Sequence, residues 1–199
     1  MSISAEQVKT LRDKTGAGMM DCKKALSETS GDLEAAVEYL RVKGLAAAGK
    51  KAGRATREGL VHAYVHPGNR VGVLLEVNCE TDFVARTEEF RELVNDLALH
   101  IAASAPLVVG REELPAETVE REREIYRAQA LEEGKPEKVV DKIVEGKLKK
   151  YYGEVCLLEQ AYVKDTDRTI EDVVKEAIAR LKENITVSRF TRFQLGDGG

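Results

Sequence analysis

The chain has only three cysteines, Cys22, Cys79 and Cys156, far apart and odd in number. That count excludes complete internal pairing, and the absence of any C-x-x-C excludes a zinc knuckle or a thioredoxin-like pair. Reduced, buried thiols are the expectation. Long apolar runs are missing as well. The longest stretch without Asp, Glu, Lys or Arg, Leu97 to Gly110, contains His100 and Pro106 and falls short of the ~18 residues a spanning helix needs. Nor does a basic-then-apolar leader open the sequence, because Met1-Ser2-Ile3-Ser4 leads straight into a polar helix pattern. A cytoplasmic protein, neither secreted nor in a membrane, is expected.

Signatures of covalent catalysis are also lacking. There is no G-x-S-x-G, no H-E-x-x-H and no Cys–His pair at a telling spacing. The stretch Gly44 to Lys51 nearly matches a phosphate-binding loop, but Lys51 stands where a hydroxyl should hold Mg²⁺, and a helical pattern precedes it instead of a strand. Gly16-Ala17-Gly18 is a lone G-x-G that a turn explains. His62 and His66 fall on one strand face without further ligands, and His100 lies on an apolar helix stripe, as a satisfied helix histidine does. Glu112 to Glu124 interleave with Arg111, Arg121 and Arg123, which is the pattern of a solvated helix face. No enzymatic chemistry, cofactor or metal is expected.

What is present is charge and enough apolar residue for a core: 33% charged, 43% hydrophobic, formal net charge −4 over 199 residues. Global disorder is unlike this composition, and the length permits one or two domains. Ser4 to Gln7 has capping-box spacing, and Val8 and Leu11 follow at helical intervals. Gly16 to Gly18 stops that helix, and Asp21 is placed to cap a second with Cys22, Ala25 and Leu26. Gly31-Asp32 restarts a third with Leu33, Ala36, Val37 and Leu40. Residues 1–43 thus read as a three-helix bundle. From Arg41 to Arg57 there are six basic residues and no acid, with mostly Ala and Gly between them, so 44–57 reads as an exposed basic linker, partly helical.

The period then changes. Leu60 to Val65, the turn His66-Pro67-Gly68-Asn69, and the alternating Val71, Val73, Leu75 and Val77 predict a β-hairpin. Phe90, Leu93, Val94, Leu97 and Ile101 mark a long helix ending before Pro106. Helices are predicted over Pro115–Glu133 and beyond Pro136, then a short buried strand at Val155–Leu158. Thr169 caps a last helix, and a terminal strand runs from Ile185 to Phe193, with Gly196 to Gly199 as a frayed tail. The final strand needs partners, so an α+β core over 58–199 follows: about three antiparallel strands covered by helices.

Two stretches resemble the bacterial elongation factor Ts family. Thr15-Gly16-Ala17-Gly18-Met19-Met20-Asp21-Cys22-Lys23-Lys24-Ala25-Leu26 is similar to its N-terminal signature, and Glu76-Val77-Asn78-Cys79-Glu80-Thr81-Asp82-Phe83-Val84-Ala85-Arg86 to its second. Supporting matches lie at Glu133 to Pro136, Lys147 to Tyr151, Asn184-Ile185 and Arg192-Phe193, in the family's order. The resemblance implies a ubiquitin-associated type of N-terminal bundle and guanine-nucleotide exchange on elongation factor Tu. It carries Mg²⁺ dislocation from that GTPase onto Thr81, Asp82, Phe83 and Val84, with Phe83 as the wedge. Pattern alone would have put Phe83, seven residues before Phe90, into the core and made Asp82 an N-cap. Of Met19 and Met20, one is expected to fill the bundle core and the other to dock the bundle on the GTPase. Longer relatives carry a second core half and a helical-hairpin insertion; this chain resembles the short form, for which a homodimer supplies the missing half.

Two rival readings come from single segments. The basic stretch 41–57 could bind RNA, yet it has no aromatic to stack bases and the whole chain is acidic. A ubiquitin-binding module would use the bundle alone and leave three quarters of the chain without a purpose. Neither nucleic acid nor membrane is an expected partner.

Overall fold

The computed structural model describes residues 3–197, so Gly198 and Gly199 of the expected tail, like Met1 and Ser2, lie outside the described residues. Three helices open the chain: α1 (Ala5–Thr15), α2 (Met19–Glu28) and α3 (Leu33–Gly49). The capping box forms as read: the Ser4 hydroxyl accepts from the Gln7 amide, and the Gln7 side chain accepts from the Ser4 amide. Gly16 closes α1 in the left-handed region at φ 64°, where a side chain would be strained. Asp21, however, is not a cap. The α2 helix starts two residues earlier behind Gly18, and Asp21 sits in its first turn, where a carboxylate favours the exposed amides. Asp32 caps α3 by accepting from the Glu34 and Ala35 amides. The bundle core is Val8, Leu11, Cys22, Ala25, Leu26 and Ala36, with Leu33, Val37 and Leu40 packed against it. Helix α3 runs past residue 43 to Gly49 with Ala48 buried, so the helical part of the stretch 44–57 is its beginning, which continues α3.

Strands β1 (Glu58–Val65) and β2 (Val71–Cys79) form the predicted hairpin, and β5 (Ile185–Gln194) pairs with β2, giving the order β1-β2-β5. Leu195 donates to the Arg70 carbonyl and Arg189 reaches Glu76 at 2.7 Å, so β5 runs antiparallel to β2. Along β2, Val73, Leu75, Val77 and Cys79 are buried at alternate positions. After β2 come the single-turn helix α4 (Asp82–Ala85) and the long helix α5 (Glu88–Ser104). The α5 stripe Phe90, Leu93, Val94, Leu97 and Ile101 is buried as its spacing predicts.

Helices α6 (Ala116–Glu132) and α7 (Glu137–Val155) form a hairpin with its own thin core of Ala130, Val140, Val144 and Leu148. Arg127 bridges α6 to Asp141 of α7 at 2.9 Å, and Arg123 pairs with Glu145; exposed to water and screened by it, such pairs add little to stability.

The strand expected at Val155–Leu158 does not form. Cys156 alone bridges Val108 in parallel, and Leu157–Glu159 is a 3₁₀ turn. The extended segment 107–109 exchanges backbone hydrogen bonds with Val155, Leu157 and Leu158, which satisfies this buried stretch without a longer ladder. Two short strands escaped the reading: β3 (Ala161–Tyr162) and β4 (Asp165–Thr169), an antiparallel pair leading into α8 (Ile170–Leu181). The fold is α+β.

The chain divides into two compact units. The first contains Met1–Leu60, Val77–Val94 and Asp172–Thr186; the second contains Val61–Glu76, Asn95–Glu171 and Val187–Gly199. In the second unit His100 is fully buried and satisfied. Gln160 donates through its amide nitrogen to the Ser104 and Glu154 carbonyls, so its oxygen must accept from His100 Nε2, while the Val163 amide donates to His100 Nδ1. Burial, opposed by the Gln160 hydrogen bond, lowers the His100 pKa below its usual value. The unfolded chain then binds the extra proton first. Stability contributed by neutral His100 is full above about pH 6.5 and is lost as pH falls below it. Urea midpoints should decline from pH 7 to about pH 5, and His100→Gln should flatten that decline; an unchanged slope would remove His100 from the account.

Candidate functional site

The second signature folds into a corner at the end of β2. Glu80 and Thr81 leave the strand, and Thr81 caps α4 with φ −130° and ψ 154°, its hydroxyl accepting from the Val84 amide. Thr81, rather than Asp82, is the cap, because its hydroxyl lies three residues before Val84 with extended backbone. Asp82, one position on, forms an exposed ion pair with Arg86 at 2.9 Å. Val84 is half-buried and Ala85 is buried, which seats α4 on the protein. Phe83 points the other way and is 80% exposed. Phe83 shares no stripe with Phe90 because the two are on different helices: α4 stops at Ala85 and α5 restarts at Glu88, capped by the Thr87 hydroxyl accepting from the Phe90 amide.

The corner is held by a segment the sequence hardly marks. Between α8 and β5, the Glu183 carboxylate accepts from the Glu80 amide (3.1 Å), the Thr81 amide (3.0 Å) and the Thr81 hydroxyl (2.6 Å). The arrangement is reciprocal, since the Glu80 carboxylate accepts from the Asn184 amide at 2.6 Å. Buried Asn184 donates from its side chain to the Arg54 carbonyl at 2.8 Å, and the Arg54 guanidinium reaches Glu80 at 3.5 Å. Part of the basic stretch therefore serves the protein's own corner. Burial, then the positive charges of Lys182 and Arg54, lowers the Lys51 pKa.

Cys79 lies beneath the corner and donates to the Thr81 carbonyl at 3.2 Å. Burial, with the Glu183 charge second, pushes its thiol up to about 11, so it stays protonated and unreactive at neutral pH. Cys22 and Cys156 are free and buried as well.

The first signature supplies the second exposed apolar element. Met19 is 61% exposed and Met20 is 76% exposed. Neither fills the bundle, contrary to the expectation for one of them: the buried part of α2 begins at Cys22, and Met19 and Met20 open the helix one turn before it. Within the same compact unit Asp21, next to Met20, pairs with Lys182 at 3.6 Å, and Lys182 adjoins Glu183. Arg180 also lies against Gly16, where a Cβ would come within 2.9 Å of its side chain. The α8–β5 corner thus touches both signatures, although about sixty residues separate them in sequence.

Among the described residues, no group of three or more His, Cys, Asp or Glu could hold a metal ion, and no helix is long and apolar enough to cross a membrane. Among the large apolar side chains this unit exposes, Phe83 and Met19-Met20 lie in the two signatures that the α8–β5 corner touches, an arrangement suited to binding another protein.

Comparison with known proteins matches the chain along nearly its whole length. The chain is 62% identical over 196 residues to elongation factor Ts of Moorella thermoacetica, covering 98% of this chain and 97% of that relative. It is 61% identical over 198 residues to elongation factor Ts of Geobacter sulfurreducens, covering 100% of this chain and 92% of the relative. The profile of the family described as Elongation factor TS matches residues 7–197, the span that holds the bundle, the corner and the terminal strand. The chain belongs to the elongation factor Ts family of translation elongation factors.

Proposed function

We propose that this protein is a guanine-nucleotide exchange factor for elongation factor Tu, with Phe83 as the group that pries open the nucleotide site. The observation that carries the reading is the exposure of a phenylalanine ring at a braced strand-to-helix corner. In this reading Thr81, Asp82, Phe83 and Val84 enter the GTPase beside its Mg²⁺, the ion is displaced, GDP leaves and GTP takes its place. Met19 and Met20 grip a second surface of the same partner. Coupling between sites is reciprocal: whatever loosens GDP is itself loosened by nucleotide, so the factor is released for another round. No step needs a cofactor or covalent chemistry from this chain, and the work is done in the cytoplasm.

The test is stopped-flow release of fluorescent GDP from purified elongation factor Tu. Added protein should accelerate release by at least about two powers of ten, in a saturable way; no acceleration at saturating protein would overturn the proposal.

The reading includes a homodimer. On the sheet strands of the second unit, Val61, Val65, Leu74 and Phe193 are exposed large apolar residues, Phe193 at 71%. Burying such a face against a second copy supplies the cover that a lone three-stranded sheet lacks. Sedimentation at micromolar concentration should give twice the 22.0 kDa chain mass, and Leu74→Lys should halve it. A monomeric mass independent of concentration would remove the dimer.

A further inference from the structure

The proposed exchange function leaves Glu183 without a role, yet this residue carries the densest set of contacts at the corner. Helix α4 is four residues long, too short to fix its own direction by helix cooperativity. Its direction must come from what grips its first residues. Three donors from Glu80 and Thr81 converge on the Glu183 carboxylate, and hydrogen bonds to a charged acceptor are about twice as strong as neutral ones. Glu183 itself is set by the chain around it. Lys182 ends α8 in the left-handed region at φ 64° with its amide donating to Ile178, and Asn184 is bound by Glu80 and the Arg54 carbonyl. The neighbouring Lys182 ammonium faces Asp21 beside Met20.

From this geometry we infer that Glu183 is a positioning residue for nucleotide exchange: it orients Phe83 through Thr81, and the Lys182–Asn184 corner holds Phe83 and the Met19-Met20 pair at a fixed separation, so that both engage the GTPase at once. The inference rests on the exchange reading. Two contacts engage together only when their spacing matches the partner, and the gain from a second contact vanishes when geometry forbids it. Residues that touch no ligand can still govern a site by locking the backbone that presents it.

The experiment is a double-mutant cycle in GDP release, using Glu183→Ala, Phe83→Ala and the double variant in the full chain. Glu183→Ala should lower the saturated release rate about tenfold, less than the roughly hundredfold that a misplacement of about 1 Å can cost a reacting pair. In the Phe83→Ala background the same change should cost less than about twofold, because its effect is transmitted through that ring. Glu183→Gln keeps an acceptor for the two amides and a donor for the Thr81 hydroxyl, and should restore most of the rate; Glu183→Asp, whose carboxylate is one methylene short of the three donors, takes the Ala variant's place in the cycle should that variant unfold. Equal losses in both backgrounds would overturn the inference while leaving the exchange reading intact. An unmodified protein that fails to accelerate release would overturn the exchange reading, and this inference with it.

Discussion

Phe83→Ala is expected to slow GDP release from elongation factor Tu by about one to two powers of ten while leaving helicity and the unfolding midpoint unchanged. The bound on the effect is energetic. Each tenfold change in rate requires ~1.4 kcal/mol, and burying one Phe side chain supplies ~1.5–3 kcal/mol. The bound on the stability change is structural: the ring is 80% exposed, so its removal opens no cavity. Exposed substitutions away from caps and networks usually change stability by less than about 0.5 kcal/mol. Acceleration beyond two powers of ten must therefore come from the rest of the interface, Met19 and Met20 first. The measurement is stopped-flow release at saturating variant, beside a urea titration followed by circular dichroism. An unaltered release rate in a folded variant would remove the wedge, and a large drop in the midpoint would show that the ring serves the protein's own core.

The helices and the hairpin were legible because their signals are local. Capping residues at Ser4 and Asp32, the left-handed stop at Gly16 and the alternation along β2 each act within a few residues. What escaped the sequence depends on contacts between distant segments. The pair β3–β4 is short and polar, and its β4 half, Asp165–Thr169, shows no apolar alternation; it is anchored by Tyr162 donating to Asp96 at 2.7 Å and Lys164 pairing with the same carboxylate at 2.6 Å. The break between Phe83 and Phe90 was hidden for a related reason. A seven-residue spacing looks like one helix, and only the Thr87 cap and the buried Ala85 separate α4 from α5. At the candidate site the resemblance pointed to Phe83 and to one of Met19 and Met20 without saying which, and nothing in their neighbourhood indicated the brace. Glu183 lies a hundred residues from Thr81, in a stretch whose only local signal is the end of a helix.

The largest loss of stability is expected from Gly59→Ala. Gly59 sits in β1 with φ 147°, a conformation that side chains rarely adopt, and an added Cβ would lie 2.2 Å from the Val77 carbonyl oxygen and 2.7 Å from the Asn78 Cα. Both obstacles are backbone atoms of the neighbouring strand, so no rotamer change relieves them. The strands must separate or twist, which breaks ladder hydrogen bonds beside the buried Val77 and Cys79. A cost of at least ~3 kcal/mol follows, a large share of the 5–15 kcal/mol by which domains of this kind are stable. Gly68, in the hairpin turn at φ 95°, provides the contrast: nothing lies within 4 Å of an added Cβ, so Gly68→Ala meets backbone strain alone, at about 1–2 kcal/mol. Urea titrations of the two variants separate crowding from conformation, and equal midpoint shifts would mean that the approach of β2 to Gly59 is not what the glycine serves. There is a functional consequence as well. Val77 and Asn78 lead directly into Glu80 and Thr81, so any relief that displaces the end of β2 also displaces the corner that presents Phe83. Gly59→Ala protein that remains folded at low temperature should therefore still stimulate GDP release poorly, whereas Gly68→Ala protein should stimulate it normally.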